Sequence, residues 1–298
     1  MRAAIAVLAM VATFTPAVHG TEPKVHSEML VTASWLQEHL GDADLVVLHV
    51  GRDRSEYDAG HLPGARYLAL DEIVEQHADS LNDLAAVDRL QTAFEDVGLG
   101  DGARVVLYDG AGGLLAARVY FTLDYMGHGD HVSLLDGGLE RWKAEGRELQ
   151  QREAHAACAV FTPHVQEDVV VTTARMREIL GQDGYVLLDA RPRAEFEGAV
   201  KSDGVAKAGH LPGARSLYWK TLLASDALPA LRGNAELQQI FAAVGARPEK
   251  VVVTYCRTGM QSSFTYFVAK YLGYKAAMYD GSVFEWVNRG GYELVAGQ

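Results

Sequence analysis

Short apolar runs that end in polar turns alternate along this chain with longer amphipathic stretches. In the first half, Thr32 to Leu40 reads as helix, Leu45 to Val50 as strand, Ala86 to Val97 as helix and Val105 to Tyr108 as strand. Leu115 to Met126 then reads as helix and Val132 to Leu135 as strand. The β-branched runs predict buried strands and the amphipathic stretches predict helices. Their alternation predicts an α/β fold, with a mainly parallel sheet flanked by helices on both faces. Sheets of this kind carry their chemistry at the carboxyl ends of the strands.

The pattern is written twice. Gly60-His61-Leu62-Pro63-Gly64-Ala65-Arg66 returns 149 residues later as Gly209-His210-Leu211-Pro212-Gly213-Ala214-Arg215. Val105-Val106-Leu107-Tyr108-Asp109 corresponds to Val252-Val253-Thr254-Tyr255-Cys256 at an offset of 147. Asp136-Gly137-Gly138 through Trp142 corresponds to Asp280-Gly281-Ser282 through Trp286 at an offset of 144. Order is kept and spacing drifts slightly, as expected of an old internal duplication. The chain therefore divides into a first domain over residues 27–147, a linker over 148–166 and a second domain over 167–298. Each copy has an ordinary domain size of about 130 residues.

The copies differ at one strand end. In the second, the run Val251 to Tyr255 opens into Cys256-Arg257-Thr258-Gly259-Met260-Gln261, followed by a helical stretch that starts near Ser262 or Ser263 as N-cap and stops at Gly273. A thiol between strand and helix sits where free helix N–H groups favour an anion. Arg257 adds a positive charge. Both favour the thiolate, which is the nucleophilic form. The first copy has Asp109 and a glycine-rich loop, Gly110-Ala111-Gly112-Gly113, in the same place. That loop lacks the lysine and spacing of a P-loop. One copy thus reads as catalytic and the other as structural.

Composition changes the picture in three ways. The net charge of −12 excludes a general nucleic-acid or anionic-membrane binder, so an anionic substrate needs a local basic pocket. Residues 1–20 pair Arg2 with an apolar core from Ala3 to Ala12 and small residues near Ala17 and Gly20, the pattern of an export signal peptide. This implies a periplasmic or otherwise exported protein, with no stable membrane span after processing. The two cysteines, Cys158 and Cys256, are too few for a disulfide framework. The eleven histidines are scattered without ligand spacing, so no metal is expected.

The strand, the Cys256-Arg257-Thr258-Gly259 loop, the helix and Tyr279-Asp280-Gly281-Ser282 together resemble the rhodanese sulfurtransferases. The duplicated layout, with Asp109 in the cysteine's place, is similar to the tandem enzymes that use thiosulfate or 3-mercaptopyruvate. The resemblance implies two rhodanese-like domains, only the second catalytic. It implies a persulfide on Cys256, no cofactor, a small-molecule sulfur donor, and cyanide or a thiol as acceptor. Arg257 would grip the sulfonate-like end of the donor. Backbone N–H groups from Arg257 to Gln261, curved by Gly259, would cradle the anion, with Thr258, Met260 and Gln261 as loop contacts.

Arg257 after the cysteine resembles thiosulfate enzymes, which often carry Lys where this chain has Thr258. Mercaptopyruvate enzymes typically have Gly after the cysteine and Ser or Thr next. Asp189 and Arg191 match the family's Asp-x-Arg. Asp189 is expected to be structural, while Arg191 is either a second anion-binding group or the partner that holds Asp189. Several animal relatives carry a substrate-binding arginine where this chain has Glu195. His61 and His210 are expected to fix turns, and Trp142 and Trp286 to cover cores. Two further readings stand beside the thiosulfate enzyme: a mercaptopyruvate enzyme and a non-catalytic persulfide carrier. A cysteine phosphatase would need an arginine six positions after Cys256, where the chain has Ser262.

Overall fold

The computed structural model describes residues 23–297. The export signal predicted over residues 1–20 lies outside the described residues. Among the described residues, no helix is long and apolar enough to cross a membrane.

The first half contains β1 (Leu30–Val31), α1 (Ala33–His39), β2 (Leu45–Gly51), α2 (Ser55–Ala59), β3 (Arg66–Ala69), β4 (Val74–Gln76), β5 (Leu81–Leu84), α3 (Val87–Asp96), β6 (Arg104–Tyr108), α4 (Leu114–Tyr125), β7 (Val132–Leu135) and α5 (Gly138–Ala144). The second contains α6 (Thr173–Ile179), β8 (Tyr185–Asp189), α7 (Arg193–Phe196), β9 (Arg215–Ser216), α8 (Asn234–Ala243), β10 (Val251–Tyr255), α9 (Met260–Tyr271), β11 (Lys275–Met278) and α10 (Ser282–Asn288). The strands form two parallel sheets, in the orders β1-β7-β6-β2-β3 and β11-β10-β8-β9. A parallel bridge from Val170 to Met278 stands where β1 pairs with β7, so the order is the same in both halves. Even the caps repeat: Thr32 Oγ1 accepts from the Trp35 N–H at 3.1 Å, and Thr172 Oγ1 from the Arg175 N–H at 3.2 Å.

Alternation along the strands builds two faces. Val46, Leu48 and Val50 of β2 face one core while Val47 faces another, with Leu62 and Trp142. In the second sheet Val186, Leu188 and Val252 face the same core as the first sheet's Val46 set, while Leu187, Val253 and Tyr255 face outward onto α6 and α10. The halves therefore share one continuous core. Its centre is α4 against α9, two helices buried along nearly their whole length, as helices apolar all round must be. Tyr120 meets Phe267 edge-on at 5.0 Å between ring centres, and Phe121 meets Tyr266 at 5.2 Å.

Two features were not read from the pattern. An antiparallel hairpin, β4–β5, leaves the first half and lies over the second. The segment predicted as a linker, 148–166, is strapped onto the first half. Gln150 bridges His61, Phe161 is buried against Phe94, and the His164 and Gln166 N–H groups donate to Met126 and Tyr125 carbonyls at 2.9 and 2.7 Å.

Candidate active site

Strand β10 ends at Tyr255 and delivers Cys256 to the sheet's carboxyl edge. The helix then starts at Met260, two residues before the serines expected to cap it. Gly259 explains this: at φ +79° it reverses the chain at once, a left-handed conformation that glycine adopts without strain. Ser263 instead donates back to the Met260 carbonyl at 2.7 Å from within the first turn. The Ser262 hydroxyl lies 3.5 Å from Cys256 Sγ and 3.3 Å from Met278 Sδ. Ser282 holds the loop from beneath, its hydroxyl accepting the N–H groups of Cys256 at 3.1 Å and Gly259 at 3.2 Å.

Cys256 lies at the floor of a cleft of about 620 Å³ between the two halves. Arg257, Thr258, Met260 and Gln261 line it as well. A larger cavity, about 1010 Å³, opens along β11, but no cysteine lines it. Arg257 stands at the cleft mouth, 40% exposed, with its guanidinium 3.7 Å from the carboxylate of the fully solvated Asp203. Such a loose, exposed pair contributes little and leaves the cation available to a bound anion.

Arg191 is placed differently. It is 1% exposed and lines no part of the cleft. Its guanidinium clamps the Asp189 carboxylate, with Nη2 to Oδ2 at 2.5 Å and Nε to Oδ1 at 3.0 Å. It also donates to the Gly209 carbonyl at 2.8 Å and the Ser202 hydroxyl at 3.1 Å. Of the two roles open to Arg191, the geometry supports positioning and not anion binding. It is tied to the wall residues Ser202 and Glu195, the latter 3.7 Å away. Asp189 is wholly buried beneath it.

The first half supplies three residues to this cleft that its own sequence did not announce: Arg52, Asn82 and Leu114. Asn82, the second residue of β5, has φ +58° and donates to Thr258 Oγ1 at 3.0 Å. Arg118 of α4 forms a buried ion pair with Asp280 and donates to the Asn82 carbonyl at 2.6 Å. The Leu84 N–H donates to the other Asp280 oxygen at 2.8 Å. Among the described residues, Asn82 and Ser282 are the non-glycine residues at positive φ, and both touch the Cys256 loop. Strain of this kind gathers at functional sites. No local pattern signals these contacts, because the partners lie up to 196 residues apart.

The first copy shows what such a loop does. Helix α4 also starts after a left-handed glycine, Gly113 at φ +84°. There the Asp109 carboxylate accepts four backbone N–H groups: Ala111 at 2.9 Å, Gly113 at 2.8 Å, Leu115 at 2.6 Å and Ala116 at 2.9 Å. The strand–turn–helix unit is an anion nest, filled here by the chain's own side chain. The second copy repeats the turn with one residue fewer and a thiol in place of the carboxylate. There the Gly259 amide, equivalent to that of Gly113, donates to Ser282 Oγ at 3.2 Å, and the polar contact to the sulfur comes from the Ser262 hydroxyl at 3.5 Å.

The repeated histidines fix turns. His61 bonds the Tyr57 and Arg152 carbonyls at 2.9 and 3.2 Å and stacks on Tyr57, while His210 bonds the Phe196 carbonyl at 2.7 Å and stacks on Phe196. The motif is also tied to the site: Tyr108 and Tyr255 hydroxyls accept the Leu62 and Leu211 N–H groups at 3.1 and 3.2 Å. Trp142 and Trp286 are buried in their cores.

Gly259 admits a direct test. A methyl group there would lie 2.6 Å from Asp280 Oδ1 and 2.9 Å from Arg118 Nη1, on a backbone that disfavours any side chain. Gly259→Ala is expected to lower stability by roughly 2 to 4 kcal/mol. A urea midpoint equal to that of the wild type would show that the loop tolerates the side chain.

Comparison with known proteins places this geometry among relatives. The Rhodanese-like domain family matches residues 32–145 and again 172–289. The chain is 31% identical to the sulfur carrier protein TtuD of Thermus thermophilus, over 92% of this chain and 98% of that protein. It is 31% identical to a thiosulfate sulfurtransferase of Pseudomonas aeruginosa, over 87% and 94%. A probable 3-mercaptopyruvate sulfurtransferase of the same organism is 33% identical, over 88% and 95%. Among solved structures, the anaerobic ergothioneine biosynthesis enzyme of Chlorobium limicola superposes with a TM-score of 0.80 at 24% identity, over 91% of this chain and 70% of that one.

Proposed function

The chain belongs to the rhodanese family of sulfurtransferases, and from that premise we propose that it moves the outer sulfur of thiosulfate to cyanide or a thiol through a persulfide on Cys256. One observation carries the reading: Cys256, between the end of β10 and the start of α9, lines a cleft that the exposed Arg257 guanidinium also lines.

The thiolate attacks the outer sulfur of thiosulfate. A sulfur–sulfur bond forms to Cys256, the sulfur–sulfur bond of the donor breaks, and sulfite leaves with the electron pair. Arg257 favours this departure by neutralising charge that builds on the sulfonate oxygens. The Ser262 hydroxyl, 3.5 Å from Cys256 Sγ, and the N-terminus of α9 favour the persulfide anion between half-reactions. Cyanide or a thiolate then attacks the terminal sulfur, and Cys256 leaves as thiolate. Electrons balance without an external oxidant or reductant.

The mercaptopyruvate reading draws support from Thr258 and from the 33% identical relative. It is weakened by Glu195, which puts a carboxylate on the cleft wall where the substrate's own carboxylate would need a cation. The carrier reading draws support from the likeness to TtuD. One comparison separates the three. Steady-state rates with thiosulfate are expected to give a kcat/KM at least about tenfold above that with 3-mercaptopyruvate, a difference that one charge-assisted contact supplies. The reverse ratio would assign the mercaptopyruvate reaction. Persulfide formation without turnover to cyanide or small thiols would assign a carrier.

A further inference from the structure

Thiosulfate and sulfite are dianions, and one half-exposed arginine is a thin basis for holding either. The second cation expected from the sequence, Arg191, is consumed by Asp189. The other cations on the cleft wall are Lys201 and Arg52. Arg52 belongs to the first half and follows directly on Gly51, whose backbone is fixed in the sheet opposite Ala69. Lys201 lies in the irregular segment after α7.

The charges beside Arg52 are already committed. Asp53 turns to its own backbone, with Oδ1 accepting the Ser55 N–H at 2.9 Å as well as the Ser55 hydroxyl. Arg54 reaches away to Glu153 at 3.0 Å and Asp58 at 3.5 Å. Among the described residues, Arg52 has neither an ion pair nor a hydrogen bond through its side chain, yet it lines the same cleft as Cys256. A planar guanidinium on a fixed strand end matches two oxygens of a sulfur oxyanion better than a lysine on a loop.

We infer that Arg52 is the second anion-binding residue of the site, holding the oxyanion end of the donor and the departing sulfite from across the cleft. The half without a cysteine thus supplies a substrate contact. This rests on the thiosulfate reading for its donor, though not for the anion site itself.

The test compares Arg52→Gln, Arg52→Lys and Lys201→Gln with the wild type, after circular dichroism shows equal melting temperatures. Sulfite binding to the reduced protein, measured by calorimetry, needs no turnover. It is expected to weaken about tenfold or more in Arg52→Gln, to recover in part in Arg52→Lys, and to change little in Lys201→Gln. The KM for thiosulfate should rise in parallel, while discharge of a preloaded persulfide by a neutral thiol keeps its wild-type rate. Equal sulfite affinity in Arg52→Gln and wild type overturns the inference, as does an equal loss in Lys201→Gln, which would indicate general charge. If the wild type binds sulfite through Arg52 but does not turn over thiosulfate, the donor assignment fails and the anion site stands.

Discussion

Cys256→Ser is expected to reduce sulfur transfer by roughly a thousandfold or more, the scale seen when a catalytic nucleophile is removed. Nothing nearby can substitute for it. Cys158, the other thiol, is exposed on the strap along the first half. The equivalent position in the first copy is Asp109, whose oxygens already hold four amides. The replacement is nearly isosteric, so the fold should survive and the loss should report chemistry. Intact mass after thiosulfate treatment should show wild-type protein gaining about 32 Da, one sulfur on the thiol, and the variant gaining none. Cys158→Ser should still gain it. Retained activity in Cys256→Ser would refute the mechanism.

Arg118→Leu is expected to destabilise the protein by roughly 3 to 5 kcal/mol, because it leaves the Asp280 carboxylate buried without its charge partner. Arg118 is fully buried between the halves, and Asp280 is nearly so. Leu84 would still donate to Asp280, so part of the desolvation remains offset. Adding Asp280→Asn removes the stranded charge and should restore part of the loss. The double variant therefore separates an ion-pair effect from a simple packing defect. Equilibrium unfolding in urea measures both. Equal stability of Arg118→Leu and wild type would mean that Asp280 finds water or another donor. The single variant should also lose activity, since Arg118 and Asp280 both border Gly259 of the reactive loop.

Much of this arrangement could be read from local pattern. The strands announced themselves as β-branched runs, the duplication as a repeated heptapeptide, and Cys256 as a thiol between strand and helix. These signals are local because each comes from residues adjacent in the chain or a fixed repeat apart. The helix start was misplaced because a serine normally caps a helix, whereas here a left-handed glycine opens it and the serines turn inward to sulfur and carbonyl. Arg191 could not be assigned because an arginine two residues from an aspartate fits either role until its burial is known. The hairpin was missed because Val74–Gln76 and Leu81–Leu84 are short and partly polar, and they are held by contacts to the other half. Arg52 stood out only against its neighbours: of Arg52-Asp53-Arg54, it alone is left unengaged.

Duplication usually frees one copy of a domain to decay. In this chain the freedom is uneven. The first copy does without a thiol, because the Asp109 oxygens fill its nest by accepting four amides. It could not surrender α4, since that helix is half of the wall on which α9 and the reactive loop are built. What the first copy keeps in common with the second is therefore the part that the reactive loop leans on. Damage to the inner face of the first half reaches the reactive loop of the second through α4 and Arg118, and the two halves work as one unit.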